Sequence, residues 1–172
     1  MSSVTLVTET MGAPDVDACW KLDQLCFEGT EAYDRQTIRD LLSSSETVCF
    51  KSMTSEDVLV GFAVGVVEPE FRGHVVVLGV SPDFRRLGVA TELMRHLEGA
   101  FRMQSVHLVH LEVRTTNDGA RALYEGLGFR VAGRRLGYYT NGDDGFLMVK
   151  TLLAVESATS ASDSSNCSPR VR

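Results

Sequence analysis

The chain has 172 residues, 44% of them hydrophobic, and a net charge of −6, enough for one domain with its own core and too little for two ordinary ones. No apolar run approaches 18 residues, and the start, MSSVTLVTETMG, has no basic segment before a long apolar one, so neither a membrane span nor a signal peptide is expected. The charge is uneven: residues 1–70 hold 13 acidic and 4 basic side chains, a balance of −9, and residues 71–155 hold 8 and 11, a balance of +3, which points to an anionic ligand on the second half and away from general nucleic-acid binding.

Val4–Thr8 is predicted as a short first strand. Pro14 and Asp15 suit a helix start, since proline is tolerated in a first turn and an acid favours its positive end. Val16, Cys19, Trp20 and Leu25–Phe27 recur at helical spacing, so that helix runs to about Cys26. Phe27–Tyr33 reads as a loop, and Arg35–Ser43 as a second helix with Ile38, Leu41 and Leu42 on one face. Thr47–Ser52 and Val58–Val67 form an antiparallel strand pair around the polar turn Met53–Asp57. His74–Val80 is the next strand, stopped by Ser81-Pro82 because proline cannot donate to the ladder. Leu87–Arg102 is a helix with Leu87, Ala90, Leu93, Met94 and Leu97 inside, and Val106–Val113 is a strand. Asp118–Leu127 is a short helix, with Asn117 as N-cap and Gly128 just past its end. Val131–Tyr139 and Phe146–Thr151 are the last strands, around the turn Asn141-Gly142-Asp143.

Six residues of Ser157–Arg172 are serine, which leaves little to pack, so residues 156–172 are expected to be a disordered tail behind a domain of residues 1–155. The order β-α-α-β-β-β-α-β-α-β-β makes this an α/β chain, an α+β arrangement on a mixed sheet. The alternation of strands and helices in its second half requires at least one parallel pairing with a right-handed crossover. Cys19, Cys26, Cys49 and Cys167 form no C-x-x-C pair and read as free thiols in a reducing cytosol, which gives a cytoplasmic expectation. No P-loop, dinucleotide or H-E-x-x-H motif is present, and no metal site is predicted.

Residues 75–98, VVVLGVSPDFRRLGVATELMRHLE, carry the most chemistry. A strand ends in Ser-Pro, and Arg85-Arg86-Leu87-Gly88-Val89-Ala90 opens a long helix. Gly88 and Ala90 let the backbone come close to a ligand, the helix start offers unpartnered N–H groups and a positive dipole, and Arg85 and Arg86 add full charge. Together they suit a pyrophosphate. The bland alternative is an ordinary helix N-terminus with two solvated arginines.

Arg85-x-x-Gly88-x-Ala90 after a strand resembles the acetyl-CoA signature, R/Q-x-x-G-x-G/A, of the GNAT acetyltransferase superfamily. Leu111–Phe129, LEVRTTNDGARALYEGLGF, resembles a block of its RimI-like and N-terminal (N-alpha) acetyltransferase branch, as do Gly73-His74, Tyr138-Tyr139 and Gly142-Asp143-Asp144 with Phe146-Leu147-Met148. The resemblance covers residues 71–152 well and 1–70 loosely. It implies the GNAT acyl-CoA N-acyltransferase fold, acetyl-CoA as co-substrate, and direct attack of an amine on the thioester in a ternary complex. Acetyl-CoA would be held by Arg85, Arg86, Leu87, Gly88, Val89, Ala90, Thr91 and Asn117, with a backbone N–H of Leu78, Gly79 or Val80 on the thioester oxygen. The break at Ser81-Pro82 is expected to splay His74–Val80 from Val106–Val113 and open a gap for the pantetheine arm.

The amine must be neutral to attack. At neutral pH roughly a tenth of N-terminal α-amines are free, but fewer than about one lysine in a thousand, so a modest base serves an α-amine. Along Val106–Val113 and just beyond it, Leu108, His110, Glu112 and Arg114 alternate onto one face and Val109, Leu111 and Val113 onto the other. The resemblance places the base at Glu112, with His74 a second catalytic candidate near the amine. It makes Tyr124, also a cofactor contact, the acid for the departing thiolate. The competing readings are a carboxylate on a wet sheet face, a strand-capping histidine and a core tyrosine. Phe27, Glu28, Tyr33, Tyr138 and Tyr139 are the substrate-binding candidates, and Glu28 and Glu31 could attract an N-terminal ammonium. This chain has Glu28 where the family often has proline, and Gly145-Phe146 where Ala-Tyr or similar is usual, so substrate preference is not carried over. The reading is an N-acetyltransferase for a protein or peptide N-terminus, with no nucleic-acid or membrane partner and with an auxiliary subunit or ribosome association left open. Its rivals are transfer to a small amine or a Lys side chain, and a non-catalytic acyl-CoA-binding accessory subunit.

Overall fold

Seven stretches of alternating or apolar sequence pair into one twisted sheet in a computed structural model that describes residues 5–27 and 29–152. The strands are β1 (Leu6–Thr10), β2 (Thr47–Thr54), β3 (Leu59–Glu68), β4 (Arg72–Val80), β5 (Leu108–Arg114), β6 (Arg130–Arg135) and β7 (Gly145–Thr151). The helices are α1 (Val16–Cys26), α2 (Arg35–Ser43), α3 (Val89–Met103) and α4 (Asp118–Gly126). The sheet order is β1-β2-β3-β4-β5-β7-β6, antiparallel everywhere except the parallel β4–β5 pair. Asp34 and Asn117 cap α2 and α4 by accepting from the N–H groups of Thr37 and Ala120, at 2.7 and 3.1 Å. The expected tail and the end of the expected domain lie outside the described residues. No helix among the described residues is long and apolar enough to cross a membrane.

Each face of the sheet is covered. Leu93, Met94, Leu97 and Phe101 of α3 pack on Val109, Leu111 and Val113 of β5. On the other face Cys19 and Leu22 of α1 and Ile38 and Leu42 of α2 cover Phe62, Val64 and Val77. Cys19, Cys26 and Cys49 are free, and burial pushes the Cys19 thiol up to about 12.

Most boundaries shift by one or two residues from expectation, and three of the differences have a visible cause. β1 runs Leu6–Thr10 rather than Val4–Thr8, since its ladder with β2 spans Leu6↔Thr54 to Thr10↔Phe50. α3 begins at Val89 rather than Leu87: Arg86 (φ 64°) and Gly88 (φ 83°) are left-handed and break a right-handed helix. β6 stops at Arg135 rather than Tyr139, because Gly137 is left-handed (φ 56°) and donates its N–H to Asp144 Oδ1 at 2.8 Å. Tyr138 and Tyr139 therefore sit in a long hairpin loop.

The splay of β4 from β5 is present, but its cause is not Ser81-Pro82. The strands pair at Arg72↔Leu108, Gly73↔Val109 and His74↔His110 and then part. Parting coincides with a bulge: Val64 faces Val77 and Gly65 faces Val75, so Val76 has no opposite residue on β3. The extra residue swaps faces; Val75 joins the α3 core and Val77 the α1–α2 core. Gly73 allows α3 to lie close at the vertex, since a Cβ there would stand 3.0 Å from the Phe101 ring.

Candidate active site

The gap between β4 and β5 has the α3 N-terminus at its mouth. The first intrahelical bond of α3 joins Glu92 N to Gly88 O at 3.0 Å, so the N–H groups of Val89, Ala90 and Thr91 lack intrahelical partners. A Cβ on Gly88 would meet nothing within 4 Å, so the glycine leaves open space beside those donors. On its β1–β2 side lies a cavity of about 380 Å3 that Leu87–Val89 and Thr91 share with Leu6, Thr8, Ser52, Glu92 and Arg95. Backbone donors, dipole and open glycine together fit a pyrophosphate. Arg86 and Leu87 are exposed on the preceding turn. Arg85 turns back, its Nε donating to Val80 O at 3.1 Å. Ser81 N–H donates to Val60 O on β3 at 2.8 Å, so strand alternation turns the N–H groups of Val80 and Leu78 to the gap and that of Gly79 to β3.

β5 alternates as its sequence implies. Val109, Leu111 and Val113 are buried against α3, and His110, Glu112 and Arg114 carry the polar contacts of the opposite face. Glu112, its side chain 6% exposed, bonds His74 Nε2 at 2.9 Å and meets Arg135 Nη2 at 3.2 Å. The His74 hydrogen bond, aided by the charges of Arg135 and His110, holds the Glu112 carboxyl below its usual range against the opposing effect of burial. The His74 ring stacks on His110, centroids 4.4 Å apart and planes 9° from parallel. Glu68, at the end of β3, lies 3.7 Å from His74 Nδ1 and 2.9 Å from His110 Nε2. Glu68, His74 and His110 bring ligand-type atoms within 4.8 Å of one another. Parallel rings, however, cannot both hold one ion in their planes, so this arrangement does not fit a metal.

Tyr124 lies on α4, buried, with its ring edge-on to Phe129 at 5.9 Å. Burial raises its phenol well above the ordinary value, so it stays protonated at neutral pH. Asn117 spends its side-chain oxygen on the α4 cap, which leaves its amide NH2 as the group available to a ligand.

The substrate-binding candidates lie in two walls. In the first, Asp23 Oδ2 accepts from Tyr33 N at 2.7 Å, and Phe27 and Tyr33 pack on the α1–α2 core. Burial pushes the Asp23 carboxyl up to about 6. In the second, Tyr138 and Tyr139 meet edge-on at 5.2 Å. The two walls face one another closely enough that Tyr138 raises the Tyr33 phenol beyond the effects of burial and Asp23. Burial pushes Tyr139 up to about 12. Glu28 lies outside the described residues. Glu31 is not a free anion for an ammonium: it is ion-paired with Arg114.

The structure thus brings His74, Glu112, Tyr33, Tyr138 and Tyr139 together on the polar side of β5, and sets Gly88–Thr91 at the start of α3. Sequence reasoning assigned no role to Glu68, His110, Arg114 or Arg135. The alternation of β5 flagged His110 and Arg114 as polar-face residues. No local pattern marks Glu68, which reaches the site across β4.

The acetyltransferase (GNAT) family description matches residues 16–129. The chain is 32% identical to the N-terminal acetyltransferase B complex catalytic subunit naa20 of Schizosaccharomyces pombe, over 81% of this chain and 84% of that protein. It is also 32% identical to an uncharacterised protein of Mycobacterium leprae over 83% of its own length, but spans 40% of that longer protein. Among solved structures, the ribosomal-protein-S18-alanine N-acetyltransferase of Escherichia coli superposes with a TM-score of 0.78 at 25% identity, covering 89% of this chain and 98% of that one.

Proposed function

Because the chain belongs to the GNAT acetyltransferase family, whose members take acetyl from acetyl-CoA, we propose that it acetylates the α-amine at the N-terminus of a protein or peptide. The observation that carries this reading is the geometry of the β4–β5 gap. It has phosphate-type donors at one end and a half-buried Glu112–His74 pair, bonded at 2.9 Å, on the polar face of β5.

The backbone of Leu87–Thr91, with Arg85 and Arg86 on the approach, holds the pyrophosphate of acetyl-CoA, and the Asn117 amide contacts it. The N–H of Val80 or Leu78 is aimed where the thioester oxygen gains negative charge. Acetyl-CoA supplies the activated acetyl group, and the amine attacks it directly in a ternary complex. Most of the rate gain is positioning of the two substrates. Glu112 takes the amine proton, with His74 orienting its carboxylate. A carboxyl held low is a weak base, which suits an α-amine with pKa near 8 far better than a lysine near 10.4. Tyr124, whose phenol is harder to ionise than a thiol, serves the leaving sulfur by donating a hydrogen bond rather than giving up its proton outright. A relative named as the catalytic subunit of a complex supports a partner subunit for this chain as well.

The test is acetyl-CoA turnover on peptides of varied N-terminal sequence, set beside N-terminally blocked Lys peptides and polyamines. Turnover confined to free N-termini is expected. Turnover only on the blocked peptides or polyamines overturns the α-amine assignment, and CoA binding without any turnover favours an accessory role.

A further inference from the structure

One side chain ties the floor of the acceptor site to both of its walls. Arg114 ends β5 with its side chain 13% exposed. Its Nη2 is ion-paired with Glu31 in the first wall, and its Nη1 with Asp143 in the second, where it also bonds Asn141 Oδ1 at 3.1 Å. The guanidinium lies over the Tyr139 ring, 4.1 Å from its centroid. We propose that Arg114 is a positioning residue that sets acceptor specificity: it locks the two walls to the floor and so fixes a narrow slot that takes an extended, unbranched acceptor end-on.

A planar guanidinium with five donors can satisfy two carboxylates, an amide oxygen and an aromatic face at once, which a lysine cannot. One acid from each wall, Glu31 and Asp143, shares this one cation. Without Arg114 the two acids face each other uncompensated in a half-buried site, and their repulsion drives the walls apart. The slot is lined by Tyr33 on one side and Tyr138 and Tyr139 on the other, flat surfaces suited to a peptide backbone. Arg114 itself pairs with neither Glu112 nor His74, so its loss is felt in acceptor binding rather than in chemistry.

The proposal rests on the acceptor side assigned above and is tested on whichever acceptor the wild type uses. Arg114→Gln should raise the acceptor KM about tenfold, with kcat and the acetyl-CoA KM within about twofold of wild type. Adding Glu31→Gln removes the repulsion, so the double variant should recover at least about threefold of that KM. An unchanged acceptor KM, a kcat loss with KM intact, or a double variant worse than the single one overturns the slot. If Arg114→Gln does not fold, Arg114→Lys carries the same test, since it keeps the charge and loses the fork. A wild type that acetylates only lysine side chains or polyamines removes the α-amine assignment alone, and the KM comparison with that acceptor then decides the slot independently.

Discussion

The two faces of β5 obey different rules. On one, Val109, Leu111 and Val113 are each 4% exposed or less and lie against α3. On the other, His110, Glu112 and Arg114 meet Glu68, His74, Arg135, Glu31 and Asp143 from five other segments. The apolar face is non-directional: any well-shaped hydrophobe there contributes roughly in proportion to area. The polar face is directional, and each member depends on a partner at a definite distance. The same strand thus holds the fold with one face and carries the proposed chemistry with the other.

That division makes separable predictions. The largest effect belongs to the apolar face: Leu111→Ala should cost about 3 kcal/mol by removing a fully buried side chain from a packed core. Denaturant unfolding reads the loss, while turnover per folded molecule stays near wild type. A comparable fall in turnover of the folded fraction would mean that the two faces are coupled. Next comes Tyr124→Phe, which keeps the ring against Phe129 and deletes the hydroxyl. It should lower kcat by about a hundredfold with an unchanged unfolding midpoint. Turnover close to wild type would return Tyr124 to the core as a packing residue.

Glu112→Gln separates charge from shape on the polar face. At pH 7 kcat should fall about thirtyfold, and the deficit should shrink towards pH 9, where the α-amine is neutral without help. A deficit that stays constant from pH 7 to 9 removes Glu112 as the base. The same variant has a stability signature whose sign follows from the lowered carboxyl of Glu112. Whatever the ionised form contributes is present in full above the ordinary carboxylate value near 4.5. It is lost as pH falls through the lower folded-state value. Wild type should therefore lose stability relative to Glu112→Gln on acidification below about pH 4.5, as thermal melts across that range can show.

How far these features were legible in the sequence follows the same division. Period-two alternation told inside from outside along β5, and capping chemistry placed Asn117, because both are local. The left-handed Arg86 and Gly88 that delay α3, and the bulge at Val76 that starts the splay, are not local. The bulge depends on pairing with β3, and a run of three valines gives no sign of where a register will slip. Glu28 and Glu31 looked alike as loop acids. Only the folded chain brings Arg114 to Glu31 and cancels its charge. Glu68 is the extreme case, for its neighbours in sequence, Val67 and Pro69, say nothing of the two histidines it meets.

The smallest predicted effect asks where the polar face ends. Both ring nitrogens of His74 look at carboxylates, Nε2 at Glu112 at 2.9 Å and Nδ1 at Glu68 at 3.7 Å, and His110 Nε2 bonds Glu68 at 2.9 Å. Glu68→Gln keeps the size of the side chain and an oxygen for His110 but removes a charge beside His74. If that charge helps His74 hold Glu112 in its working state, kcat at pH 7 should fall about threefold while the acetyl-CoA KM stays put. The groups that set the response are those around the pair: His110 and Glu68 on one side, Arg135 and Tyr138 on the other. Glu68→Asp, which restores the charge at a shorter reach, should recover part of the loss. Equal turnover in wild type and Glu68→Gln across pH 6 to 9 would end the working network at His74 and make Glu68 and His110 a ladder of sheet contacts that stabilises the vertex where β4 and β5 part.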